Sequence, residues 1–148
     1  MKPFLILIIT FILSLAAYKI FTGAGNTAVA GCIAMAVMLL FTGIAHFAKP
    51  KEMEHMLPPV VPARIFLILV TGIFEIAAAI GLMIPQTRML TGWSLIVFFL
   101  LILPANIYAA VAPKTKTDFT GQGLKYLWFR VPLQLFFIIW VYIFAVAS

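Results

Sequence analysis

Five side chains are out of keeping with the apolar runs that hold them: Glu75, Arg130, Gln134, Asn106 and His46. A carboxylate and an imidazole can act as acid and base. A guanidinium can neutralise a carboxylate or hold a ligand oxygen, and primary amides donate and accept at once. An ionisable group at membrane depth costs at least ~2.5 kcal/mol, so it turns toward a bundle interior or a wet cavity. Read together, the five form one candidate ligand-binding set with Glu75 at its centre.

The run that carries Glu75 extends from Ala63 to Ile84, the length a helix needs to cross a bilayer core, ~20 residues at ~1.5 Å each. On a helical wheel Ile68, Thr71, Gly72, Ala78 and Ala79 share the face of Glu75, and small groups there let a neighbouring backbone come close. Phe66, Val70, Ile73, Ile80 and Ile84 fall opposite, where bulk suits lipid. Counted from the same side of the membrane, Glu75 lies ~18 Å deep and Gln134 ~15 Å. Arg130 is one turn shallower than Gln134 on the same face, and Asn106 and His46 are shallower still. The expectation is one polar pocket, closed at mid-membrane and opening inward. Arg130 either reaches up to pair with Glu75 or snorkels to the interface, and a pair would serve either bundle specificity or a ligand. His46 reads as a wet interfacial histidine or a functional donor. Pro104 and Pro132 remove backbone donors and free the carbonyls of Leu100 and Trp128. Asn106 and Gln134 lie just beyond, placed to satisfy freed backbone groups or a ligand.

Five apolar runs position these groups, about 3–21, 27–48, 63–84, 89–111 and 124–146. The fold class is therefore all-α, a polytopic transmembrane helical bundle forming one domain over 1–148. The first run begins like a signal peptide, with Lys2, an apolar core and Ser14-Leu15-Ala16. It stays apolar to Phe21 and reads as a retained crossing. Thr22–Asn26 and Pro85–Arg88 read as tight turns, the proline-rich Lys49–Arg64 link as an interfacial segment, and Thr115–Gly123 as a solvated loop. Thr71-Gly72-Ile73-Phe74-Glu75 echoes Thr42-Gly43-Ile44-Ala45-His46, too briefly to count as a repeat.

Composition excludes other classes. The 148 residues are 65% hydrophobic and 9% charged, with a net charge of +6; mean hydropathy is +1.18. A soluble domain of this size could not hide so much apolar surface. Lys2, Lys49, Lys51, Arg64, Lys114, Lys116 and Lys125 fall on one side, against Lys19 and Arg88 on the other. Topology thus explains the basic residues better than nucleic acid does, and places the N-terminus in the cytoplasm and the C-terminus outside. Tyr18, Trp93, Trp140 and Tyr142 would form an outer aromatic belt, and Tyr108, Tyr126 and Trp128 an inner one. Cys32 is the only cysteine, which excludes a thiol pair within the chain. His46, Glu52, Glu54 and His55 match no metal-ligand spacing, so no metal is expected.

Gly43-Ile44-Ala45-His46-Phe47, the proline-rich link, Thr71–Glu75 followed by Gly81-Leu82, Pro104–Tyr108, and Arg130-Val131-Pro132-Leu133-Gln134 together resemble a DoxX-like membrane protein. The resemblance covers about Leu40 to Gln134. It implies a four-helix core, to which the first run adds one N-terminal helix. It also implies an accessory role in quinone-linked redox or oxidative-stress processes, or, from distant relatives, in membrane-protein assembly or trafficking.

The leading expectation is an inner-membrane bundle, non-catalytic on its own and without an intrinsic cofactor. It would hold a lipid or a quinone-like ligand between Glu75, Arg130, Gln134, Asn106 and His46. Its partners would be membrane lipid and a membrane redox complex or other membrane protein; a homo-oligomer is compatible, and nucleic acid is not expected. The second reading is an assembly factor whose polar groups only fix the bundle. The third is an intramembrane acid/base enzyme built on Glu75 and His46.

Overall fold

A computed structural model of the chain describes residues 2–23, 25–111 and 124–148, the last segment from its backbone alone at 124–127. Apolar sequence of spanning length becomes helix because only internal pairing satisfies backbone groups in hydrocarbon. The helices are α1 (Lys2–Thr22), α2 (Thr27–Ala48), the short α3 (Pro50–Glu54), α4 (Arg64–Met83), α5 (Pro85–Val111) and α6 (Leu124–Val141). A π-helical turn, Tyr142–Val146, continues α6. Among the described residues, five helical spans are long and apolar enough to cross a membrane. The chain is an integral membrane protein, an all-α transmembrane bundle. The expected Thr115–Gly123 loop lies outside the described residues, as do Lys114, Lys116 and the side chains of Lys125 and Tyr126.

The core gathers on α2, which packs most closely against α4 and α1. Ala30, Cys32, Ala34, Met35, Met38 and Leu39 are all buried. Small side chains alternate there with flexible methionines, which fill irregular gaps between close helices. α1 is peripheral. Leu7 is its buried residue, while Phe11 meets the Trp140 ring edge-on at 5.0 Å. Asn26 starts α2 by accepting from Val29 N at 3.1 Å, an N-cap that serves an otherwise unpaired donor.

One junction differs from expectation. Pro85–Arg88 is not a turn but the first turn of α5, so Ile84 alone separates α4 from α5. Proline suits the first helical position, where its missing N–H is not needed. Thr87 Oγ1 then donates to Gly81 O at 2.9 Å and Arg88 Nε to Leu82 O at 3.1 Å, so α5 caps the carbonyl end of α4. In the proline-rich link, Pro50 opens α3 in the same way. Arg64 holds Glu54 at 3.0 Å and Lys49 holds Glu52 at 3.3 Å, straps that employ two of the acidic groups considered above as metal ligands.

Trp140 is not a belt residue. It is buried, and its indole Nε1 donates to Gly31 O at 3.1 Å. Gly31 has no room for a Cβ because the Phe144 ring lies against it. Beside it, Cys32 Sγ donates to Phe144 O at 3.0 Å. The end of the chain is thereby fastened to the beginning of α2. Trp93, Trp128 and Tyr142 are exposed, as belt residues should be.

Candidate functional site

α2 and α4 run antiparallel and cross where each has a glycine. A Cβ on Gly43 would stand 3.1 Å from Gly72 O, and one on Gly72 3.1 Å from Gly43 O. With no hydrophobic drive between helices in lipid, such backbone contact supplies the dispersion that holds them. The two five-residue echoes therefore face each other. His46 and Glu75 each lie three residues beyond the glycine of their own helix. Side chains on a helix lean toward its N-terminus, so in antiparallel helices these two lean toward each other over the crossing. His46 Nε2 and Glu75 Oε1 stand 3.9 Å apart.

The surroundings fix the imidazole. His46 Nδ1 lies 2.8 Å from Ile68 O and 3.0 Å from Thr71 Oγ1. A carbonyl only accepts, so Nδ1 carries a hydrogen, and Nε2 is the nitrogen turned toward the carboxyl group. Thr71 Oγ1 also donates to Ile68 O at 2.8 Å. Glu75 is 5% exposed, and its polar neighbours are His46 and the Thr42 hydroxyl. Its Oε2 is buried and has no hydrogen-bond partner. A carboxyl group in a low-dielectric interior needs polar neighbours of this kind. At 3.9 Å the gap exceeds a hydrogen bond. The carboxyl group therefore stands beside the imidazole without bonding to it directly.

The wheel drawn from sequence holds: Ile68, Gly72, Glu75, Ala78 and Ala79 are buried and Thr71 is half-buried, while Phe66, Val70, Ile73, Ile80 and Ile84 are exposed. The single pocket does not. Among the described residues the five polar groups fall into two sets, with no hydrogen bond or ion pair joining them. His46 and Glu75 belong to α2 and α4; Asn106, Arg130 and Gln134 belong to α5 and α6. The ion-pair partner of Glu75 is His46 rather than Arg130, whose Nη1 donates to Asn106 Oδ1 at 3.3 Å. Asn106 Nδ2 in turn donates to Gln134 Oε1 at 2.6 Å, and Gln134 Nε2 donates to Phe99 O. Each amide thus uses both its ends. The chain finishes on a backbone carbonyl one residue before Leu100, beside the break that Pro104 makes in the helical ladder. Gln134 does serve a backbone carbonyl, but that of Phe99 rather than the freed one of Leu100 or Trp128, and Asn106 instead links two side chains.

Sequence reasoning did not assign Thr42 and Thr71 to the site. The available signal was their position, each four residues before His46 or Glu75 and so stacked one turn away.

The family model described as "Domain of unknown function (DUF8561)" matches residues 35–145. The chain belongs to this family. The DUF8561 region begins within α2 and ends in the π turn, so it contains every polar residue of both sets and leaves out α1. No curated protein and no solved structure matches the chain.

Proposed function

We propose that the protein is a small DoxX-like accessory protein of a bacterial inner membrane. It binds a lipidic or quinone-like ligand at His46 and Glu75, serves quinone-linked redox or oxidative-stress processes, and is not catalytic alone. One observation carries the reading: Glu75 keeps a buried carboxyl oxygen without a partner beside an imidazole it does not quite reach. A purely structural carboxyl group would have both oxygens engaged, because an orphaned buried acceptor costs about 1–3 kcal/mol. The orientation follows from Lys2, Lys49, Lys51 and Arg64 on one face against Lys19 and Arg88 on the other, which favours a cytoplasmic N-terminus.

The test is mass spectrometry of the protein released from its own membrane. A stoichiometric lipid or quinone should accompany it, and Glu75→Gln should empty the site while the bundle stays folded with unchanged helix content. Equal retention by the variant would remove the reading.

A second reading, a membrane-protein assembly or trafficking factor, draws on the other polar set. Arg130, Asn106, Gln134 and Phe99 O form a continuous series of bonds between α5 and α6, the behaviour of groups that specify a bundle.

A further inference from the structure

α4 and α5 touch at their connected ends, where Gly81 lies against Thr91 with no space for a Cβ. Deeper, the Phe74 and Phe98 rings stack at 4.7 Å between the two helices. Beside that contact a groove of about 570 Å³ opens, lined on α4 by Val70, Thr71 and Phe74 and on α5 by residues from Trp93 and Ser94 to Leu101. Such a volume is within the ~300–1,000 Å³ range of small-molecule sites. Its walls are apolar, and Thr71 brings a hydroxyl that also touches His46 Nδ1.

We infer that this groove admits an uncharged chain lipid sideways from the bilayer, with a carbonyl oxygen of its head accepting from the Thr71 hydroxyl. The inference rests on the ligand-binding reading above and names the class of ligand and its route. Three observations lead to it. The groove lies in the middle of two membrane-spanning helices, so the medium that meets it is hydrocarbon and the occupant must be a chain. Thr71 stands ~11 Å along α4, a depth at which a charged head is costly and an uncharged carbonyl is not. Finally, Ile68 O receives both Thr71 Oγ1 and His46 Nδ1. The Thr71 hydroxyl can therefore turn to donate to a ligand while the histidine keeps that carbonyl satisfied.

A decyl-benzoquinone carrying a diazirine at its chain end tests this on the full chain in nanodiscs. Irradiation should place adducts on 70–74 and 97–101, and unlabelled decyl-benzoquinone should compete them away. Val97→Trp, or Leu101→Trp where the first variant folds poorly, should abolish saturable labelling. Thr71→Val should raise half-saturation about fivefold, what one lost hydrogen bond is worth. Stearic acid with the same diazirine should label without saturating. Adducts on other helices, equal saturable labelling by the fatty acid, or a groove shielded by a second copy of the chain would each overturn the inference. If Glu75→Gln lowers native ligand occupancy while Val97→Trp alters nothing, the groove is refuted and the functional reading survives. If tryptophan blocks labelling and Glu75→Gln leaves occupancy intact, the groove stands and the reading of the acid falls.

Discussion

Gly43 and Gly72 lie backbone to backbone, each holding the position at which a Cβ would come within 3.1 Å of the other's carbonyl oxygen. That contact is what sets an acid and a base from different helices 3.9 Å apart. The chemistry of the pair is thus a consequence of helix spacing.

Gly72→Ala should show this directly. Its Cβ would stand 2.7 Å from that of His46 and 3.1 Å from a backbone oxygen, neither of which can swing away. The expected loss is about 1–3 kcal/mol, read as a lowered melting temperature in detergent. Gly25→Ala is the control, because the new methyl group would meet only Leu15 Cδ1 at an ordinary 3.8 Å.

His46 and Glu75 should be energetically coupled. In a double-mutant cycle of His46→Phe and Glu75→Gln, the two effects on unfolding should depart from additivity by about 1 kcal/mol or more. Additive losses would mean that the facing groups do not sense each other.

The α5–α6 series should behave as a unit. Asn106→Leu strands Gln134 Oε1 and withdraws an acceptor from Arg130, for an expected cost of about 1 kcal/mol in a membrane setting. Adding Gln134→Leu should cost less than its effect alone, since one of the two bonds it would break is already gone. Equilibrium unfolding of the three variants decides the matter, and a full second penalty would show that the bonds act independently.

Much of the fold was legible because bilayer thickness imposes a length on every apolar run. The five runs and the buried and lipid-facing sides of α4 follow from spacing alone. Pro85 misled for a local reason: the same residue begins a turn and begins a helix, and the carbonyls of Gly81 and Leu82 that Thr87 and Arg88 cap are supplied by a different helix. Depth counting put Glu75, Gln134, Arg130, Asn106 and His46 in one half of the membrane, but counting along an axis carries no information about which helices are neighbours. That is why depth alone leaves a Glu75–Arg130 pair open, whereas in the fold Arg130 donates to Asn106.

The sequence by itself determined an integral membrane bundle and the presence of an ionisable group that had to be sheltered, because hydrocarbon tolerates neither open backbone nor bare charge. Tertiary structure decided who shelters it. Two glycines permit one crossing to close tightly, side chains lean toward the N-termini of antiparallel helices, and the imidazole of His46 arrives beside Glu75 from another part of the chain. Partnership across helices depends on packing distance, and no spacing within a single helix encodes that.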